Sequence, residues 1–125
     1  MIKLAVLVND QLTLQYNREV LLPEQQAAYL NRLDNKFDQG IELDSEKIDD
    51  PTLEQRARFM ALSMMEGIMY QEDSKASASL AWLATRMPDL KQVLAQVGDT
   101  GTQFELVFDK EYQPHQVVDF KGLNG

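Results

Sequence analysis

The first seventeen residues form two short runs in which apolar positions recur at strand spacing. Residues 2–8 are rich in β-branched and aliphatic side chains, and residues 12–16 alternate apolar and polar positions. Between the two runs stand Asn9 and Asp10, which are residue types that tolerate positive φ in a tight turn. This pattern predicts a β-hairpin with one buried face.

The middle of the chain changes to the three-to-four-residue spacing typical of helices. Four helices are predicted with these bounds: Pro23 to Gly40, Asp50 to about Met69, Ser74 or Asp73 to about Arg86, and Pro88 to Gly98. The second is apolar around much of its circumference, so we expect it at the centre of the fold, packed on two sides. Its Ser63 and Gly67 lie four residues apart, which would let another element approach closely.

The C-terminal part of the chain returns to strand spacing. Residues 104–108 alternate, and residues 116–120 form a further apolar run after a connection that contains Pro114. Two hairpins at opposite ends of a small chain are not stable alone. The sequence therefore predicts an α+β fold in which N-terminal and C-terminal hairpins form one four-stranded antiparallel sheet, with about four helices between them packed on one face.

Length and composition agree with one globular domain. The 125 residues are 44% hydrophobic and contain no linker-like tract, which predicts a single domain over 1–125, with 121–125 as a frayed tail. The absence of cysteine excludes disulfides and thiolate metal sites and fits a reducing compartment. The apolar run 4–8 is too short for a signal peptide, and no run has membrane-spanning length. We therefore expect a cytoplasmic protein that does not bind membranes.

Acidic residues dominate the charge. Twenty acids and twelve bases give a net charge of −8, which disfavours nucleic acid as a partner. The segment 34–54 holds eight of the acids and two bases, so it supplies −6 of that charge. We predict that Asp44, Glu46 and Asp49 form a docking surface for a basic partner. A solvated loop and a loose divalent-cation site are the alternatives, whereas an EF-hand is rejected because Phe37 would occupy a ligand position.

No residue constellation indicates catalysis. His115 is the single histidine, and the chain has no phosphate loop, nucleophile elbow or zinc motif. The methionines at helical spacing in the second predicted helix are typical of a core rather than of a copper site. The sequence predicts no catalytic residue, no metal site and no cofactor.

The sequence allows two interpretations of Trp82. It can pack in the core, or it can anchor a partner or a second copy, because it lies partly off the apolar stripe that Leu80 and Leu83 define. Together with the sheet edges that would need covering, the second reading leads to the hypothesis of a homodimer.

These patterns favour a non-enzymatic cytoplasmic accessory or adaptor protein that acts through protein–protein contact. The first alternative is a small-molecule-binding or sensing domain with a pocket between helices and sheet. The second is an enzyme without a recognisable motif, which would place titratable residues with shifted pKa in such a pocket. The sequence identifies neither the partner nor the pathway.

Overall fold

The computed structural model of the protein describes residues 3–43 and 45–112. Within these ranges the helices and strands, in chain order, are β1 Lys3–Val8, β2 Gln11–Asn17, α1 Glu24–Phe37, β3 Ile41–Leu43, β4 Glu46–Ile48, α2 Leu53–Met69, α3 Asp73–Arg86, β5 Gln92–Gly98 and β6 Gly101–Val107. The strands form a four-stranded sheet in the order β2-β1-β5-β6 and a separate two-stranded sheet, β3-β4.

The four-stranded sheet joins two hairpins through their first strands. β1 pairs antiparallel with β2, β5 pairs antiparallel with β6, and the central β1 and β5 run parallel to each other. In the described part of the chain, β2 and β6 are therefore the terminal strands of this sheet.

The predicted N-terminal hairpin is confirmed. Asn9 and Asp10 connect β1 to β2 with φ values of 50° and 69°, as a tight turn between twisted strands requires. The register shifts between Val6 and Leu7 because β2 carries one extra residue, Thr13, opposite them.

The predicted four-stranded antiparallel sheet with four helices is wrong. The sheet is mixed, three helices occur in the described residues, and the predicted helix from Pro88 to Gly98 is largely the strand β5. Val93 and Ala95 are fully buried on one face of β5, while Leu94 on the other face is half-buried. Leu94 is apolar although it lies on the face away from the core, so the apolar positions of β5 do not alternate strictly, and their spacing imitates that of a helix.

The C-terminal hairpin of the structure is β5–β6, which turns at Asp99 and Thr100. The predicted strand 116–120 and the predicted tail 121–125 lie outside the described residues, as does His115. The small hairpin β3–β4 follows α1, and its Ile41 and Leu43 are buried.

The helix α2 begins two residues later than its sequence signals suggest. Thr52, not Asp50, is the N-cap: its hydroxyl accepts from the Gln55 amide at 3.1 Å, and the Gln55 side chain accepts from the Thr52 amide at 2.9 Å. This reciprocal pair is a capping box, and the preceding Pro51 is buried instead of opening the helix.

The core lies between the helices and one face of the four-stranded sheet. Leu4 and Val6 of β1 pack in one cluster with Phe37, Met64 and Trp82 from the three helices. α2 and α3 approach closely at Gly67, as its spacing from Ser63 predicted: a Cβ there would meet the Ala76 nitrogen at 2.6 Å.

Among the described residues, no helix combines the length and the apolar character that crossing a membrane requires.

Candidate functional site

Trp82 lies in the core. Its side chain has no exposed surface, its ring meets Phe37 edge-on at 5.6 Å, and its indole nitrogen donates a hydrogen bond of 2.7 Å to Asp34 Oδ1. A fully buried side chain cannot contact a partner protein. The structure therefore does not support the hypothesis that Trp82 anchors a partner or a second copy of the chain.

Two acids of the segment 34–54 form ion pairs with bases from other parts of the fold. Asp34 Oδ2 accepts from Arg86 Nη2 at 2.7 Å and from Arg86 Nε at 3.0 Å, and Asp38 Oδ1 lies 3.1 Å from Arg56 Nη2. Two of the eight acids counted in the sequence are thereby paired with bases from α2 and α3. The acidic surface is consequently smaller than the sequence suggests.

Three of the remaining acids, Glu42, Glu46 and Asp49, lie in or directly beside the β3–β4 hairpin. Glu46 and Asp49 are exposed, and Glu42 pairs across the hairpin with Lys47, while Asp44 lies outside the described residues. No group of three potential ligands that could hold a metal ion occurs in the ranges that the structure describes. Docking through Asp44, Glu46 and Asp49 stays a prediction.

A groove of about 680 Å³ runs between the first half of α2 and β6. We call it the α2–β6 groove. Its apolar lining consists of Leu53, Ala61, Met87, Phe104, Leu106 and Phe108, and its polar lining of Glu54, Gln55 and Arg58.

Strand alternation builds one wall of this groove. Phe104 and Leu106 pair in register with Ala95 and Val93 and therefore share the sheet face that carries the helices. Phe108 continues this alternation one residue beyond the end of β6. The capping box at Thr52 fixes where α2 starts and thus places the other wall.

Packing across the groove is incomplete at its ends. Leu53 is 52% exposed and Phe108 is 43% exposed, although both line the same groove. Large apolar side chains that leave half of their surface to water on facing elements indicate an interaction surface more than a core. Sequence reasoning missed both residues, and the only available signal was that Phe108 extends the alternating run of β6.

The groove lies beside an edge of the sheet. β6 pairs with β5 on one side, and no other described strand pairs with it. The outward backbone N–H and C=O groups of an edge strand can pair with another chain. Apolar pockets and a template for backbone hydrogen bonds thus occur together at β6.

A second concavity, the three-helix cleft, lies between α1, α2 and the start of α3. Its volume is about 720 Å³, and Leu33, Phe59 and Met60 line it together with Ser63 and Ser79. It is separate from the α2–β6 groove, with which it shares no lining residue.

Two basic side chains have shifted pKa values. Burial lowers the pKa of the Arg18 guanidinium, which donates to the carbonyls of Leu90 at 2.7 Å and Met87 at 3.0 Å. The hydrogen bond of 2.7 Å to Glu66 raises the pKa of Lys75. Arg18 and Lys75 both remain protonated at neutral pH, so neither supplies an acid or a base for catalysis.

Comparison of the chain with protein-family models, with curated proteins and with solved structures found no match.

Proposed function

We propose that this protein is a non-enzymatic cytoplasmic adaptor that binds an extended segment of a partner protein along the α2–β6 groove. The single observation that carries the proposal is the position of partly exposed apolar side chains, Leu53 and Phe108, beside β6, which is a terminal strand of the sheet in the described part of the chain. The cysteine-free composition supports the cytoplasmic location.

An extended segment uses both features of this surface. Its backbone would hydrogen-bond to the outward edge of β6, and every second side chain would point toward α2 and enter the groove. Backbone pairing supplies affinity in such complexes, and the pockets for alternate side chains supply specificity. A small molecule, the first alternative, would use the pocket but not the strand edge, so the adaptor accounts for more of the observed surface.

The exposed apolar side chains set the scale of the interaction. Full burial of a Leu or Phe side chain contributes roughly 1.5–3 kcal/mol, so covering the exposed half of Leu53 and of Phe108 contributes about 1 kcal/mol each. Backbone pairing and the remaining groove side chains would add to this, which suits a reversible complex.

Affinity purification with matched variants tests the proposal. Phe108→Asp places a charge in the groove, whereas Leu21→Asp changes a side chain that is 91% exposed and does not line the groove. We expect mild cross-linking and mass spectrometry to recover a protein partner with the wild type and with Leu21→Asp, and to lose it with Phe108→Asp. Far-UV circular dichroism confirms that both variants fold.

Two results would overturn the proposal. Recovery of the same partners with Phe108→Asp would show that binding occurs elsewhere. Recovery of a second copy of this chain alone, together with a dimer in light scattering, would replace the adaptor with a homodimer through the β6 edge.

A further inference from the structure

Ser79 is an unpartnered polar side chain inside the three-helix cleft. It is 1% exposed, it lines the cleft, and its hydroxyl makes no hydrogen bond with any residue that the structure describes. In the same helix, Thr85 Oγ1 donates to the Ala81 carbonyl at 2.8 Å. A hydroxyl of α3 can therefore hydrogen-bond to the carbonyl four residues earlier, but the Ser79 hydroxyl does not. Buried hydroxyls are nearly always hydrogen-bonded, and the Ser79 hydroxyl therefore calls for a partner that enters the cleft.

The shape of the cleft suits a small molecule. Its volume of about 720 Å³ lies within the usual range of ligand pockets, and Leu33, Phe59 and Met60 give it an apolar floor. Tyr29 lines the same cleft and is 43% exposed, which leaves an aromatic face open to an incoming ring.

The charges around the cleft do not select a charged ligand. Its charged lining residues are Asp73 and Lys75, whose formal charges cancel, and the Lys75 ammonium is already 2.7 Å from Glu66 Oε1. The net charge of the whole protein, −8, further disfavours an anion. Asp73 is the first residue of α3, where the helix dipole stabilises its carboxylate, so it does not require a cationic ligand either.

We propose that the three-helix cleft is a binding site for an uncharged small molecule that consists of an apolar ring and one hydroxyl or amide group. The ring lies on Phe59 and Met60, and the polar group hydrogen-bonds to the Ser79 hydroxyl. This site is independent of the α2–β6 groove and of the adaptor proposal.

Four small probes test the ligand class by two-dimensional ¹H–¹⁵N NMR. Benzyl alcohol and benzamide are uncharged, whereas benzoate and benzylamine carry the same ring with one negative or one positive charge. We expect the two uncharged probes to shift the amide resonances of Ser63 and Ser79 in a saturable way at millimolar concentration, and benzoate to leave them unchanged. The proposal fails if the uncharged probes shift no cleft amide, or if either charged probe binds as well as they do.

Matched serine variants test the hydrogen bond. Ser79→Ala should weaken binding of benzyl alcohol about three- to ten-fold, which is the usual worth of one neutral hydrogen bond. Ser45→Ala, at an exposed position that does not line the cleft, should leave binding unchanged. Ser63→Leu fills the cleft from α2 and should abolish binding. Equal binding by all three variants would overturn the proposal.

The melting temperatures of ligand-free variants give a second readout, with the exposed Ser77→Ala of the same helix as the control. Ser79→Ala and Ser77→Ala both raise helix propensity, but only Ser79→Ala also removes a buried hydroxyl that lacks a partner. Its melting temperature should therefore rise more than that of Ser77→Ala. A lower melting temperature for Ser79→Ala would show that the hydroxyl already has a partner, such as a bound water, and would remove the basis of the site. Neither result bears on whether Phe108→Asp loses a protein partner.

Discussion

Trp82 and Asp34 are joined by a hydrogen bond of 2.7 Å between the indole nitrogen and a carboxylate oxygen, although 48 residues separate them in the chain. The other oxygen of Asp34 accepts two bonds from Arg86. One carboxylate thereby ties α1 to two positions of α3. The two residues looked like separate surface candidates in the sequence, and together they form a polar anchor of the core.

Loss of this anchor should destabilise the fold strongly. Asp34→Ala removes the acceptor for one indole and one guanidinium, and we expect the free energy of unfolding to fall by about 2–4 kcal/mol. Asp38→Ala breaks an ion pair whose carboxylate is 67% exposed, and should cost less than about 1 kcal/mol. Urea denaturation followed by far-UV circular dichroism compares them, and equal losses would contradict the anchor.

Arg18 should be hard to replace. It follows β2 directly, and its planar guanidinium donates to the carbonyls of Ala84, Met87 and Leu90, which joins the first hairpin to the connection between α3 and β5. Arg18→Met should lower the free energy of unfolding by about 2–4 kcal/mol because three carbonyls lose a charged donor. Arg18→Lys should recover less than half of the lost free energy of unfolding, since an ammonium cannot reproduce the planar arrangement of N–H donors in a guanidinium. Wild-type stability of the lysine variant in the same urea assay would refute this account.

Gly67 should tolerate no side chain. A Cβ at this position would meet backbone atoms of Ala76 at 2.6 Å and 2.9 Å, so Gly67→Ala must push α2 and α3 apart. We expect a loss of about 1–3 kcal/mol despite the gain in helix propensity. Gly98→Ala is the control, because its Cβ would meet nothing within 4 Å, and it should change stability by less than about 0.5 kcal/mol. A stabilised Gly67→Ala in thermal denaturation would rule out the close approach.

The exposed acids of the β3–β4 hairpin should affect binding rather than folding. Neutralising Asp44, Glu46 and Asp49 to their amides should change the free energy of unfolding by less than about 0.5 kcal/mol, because exposed charges contribute little to it. It should weaken capture of a basic partner, most clearly at low salt, where charge attraction is least screened. Unaltered capture at low salt would remove these residues from the interface without affecting the groove.

The elements that are specified by residues close together in the chain were predictable from the sequence. Asn9 and Asp10 gave the first turn, Pro23 and Gly40 bracketed α1, and the spacing of Ser63 and Gly67 anticipated the close helix contact. These features depend on neighbours in the chain, and the chemistry of those neighbours is visible in the sequence.

Features that depend on long-range packing were not predictable in the same way. The helix predicted at β5 is wrong because the apolar residues of this strand do not alternate strictly, and the parallel pairing of β1 and β5 joins segments that are distant in the sequence. The hydrogen bond between Trp82 and Asp34 was not predictable because the two residues come from distant segments of the chain. The α2–β6 groove is lined by Leu53 and Phe108, which stand 55 positions apart in the sequence, and neither residue is unusual alone.

Site-specific photo-cross-linking tests the central claim, that the α2–β6 groove binds an extended segment of a partner protein. A photoreactive phenylalanine analogue replaces Phe108 in one variant and Leu21 in a second, and mass spectrometry identifies the cross-linked peptides after irradiation in cells. We predict that position 108 cross-links to one defined peptide of a partner protein, whereas position 21, which is more exposed, gives no comparable product. Equal products at the two positions, or none at position 108, would contradict the account.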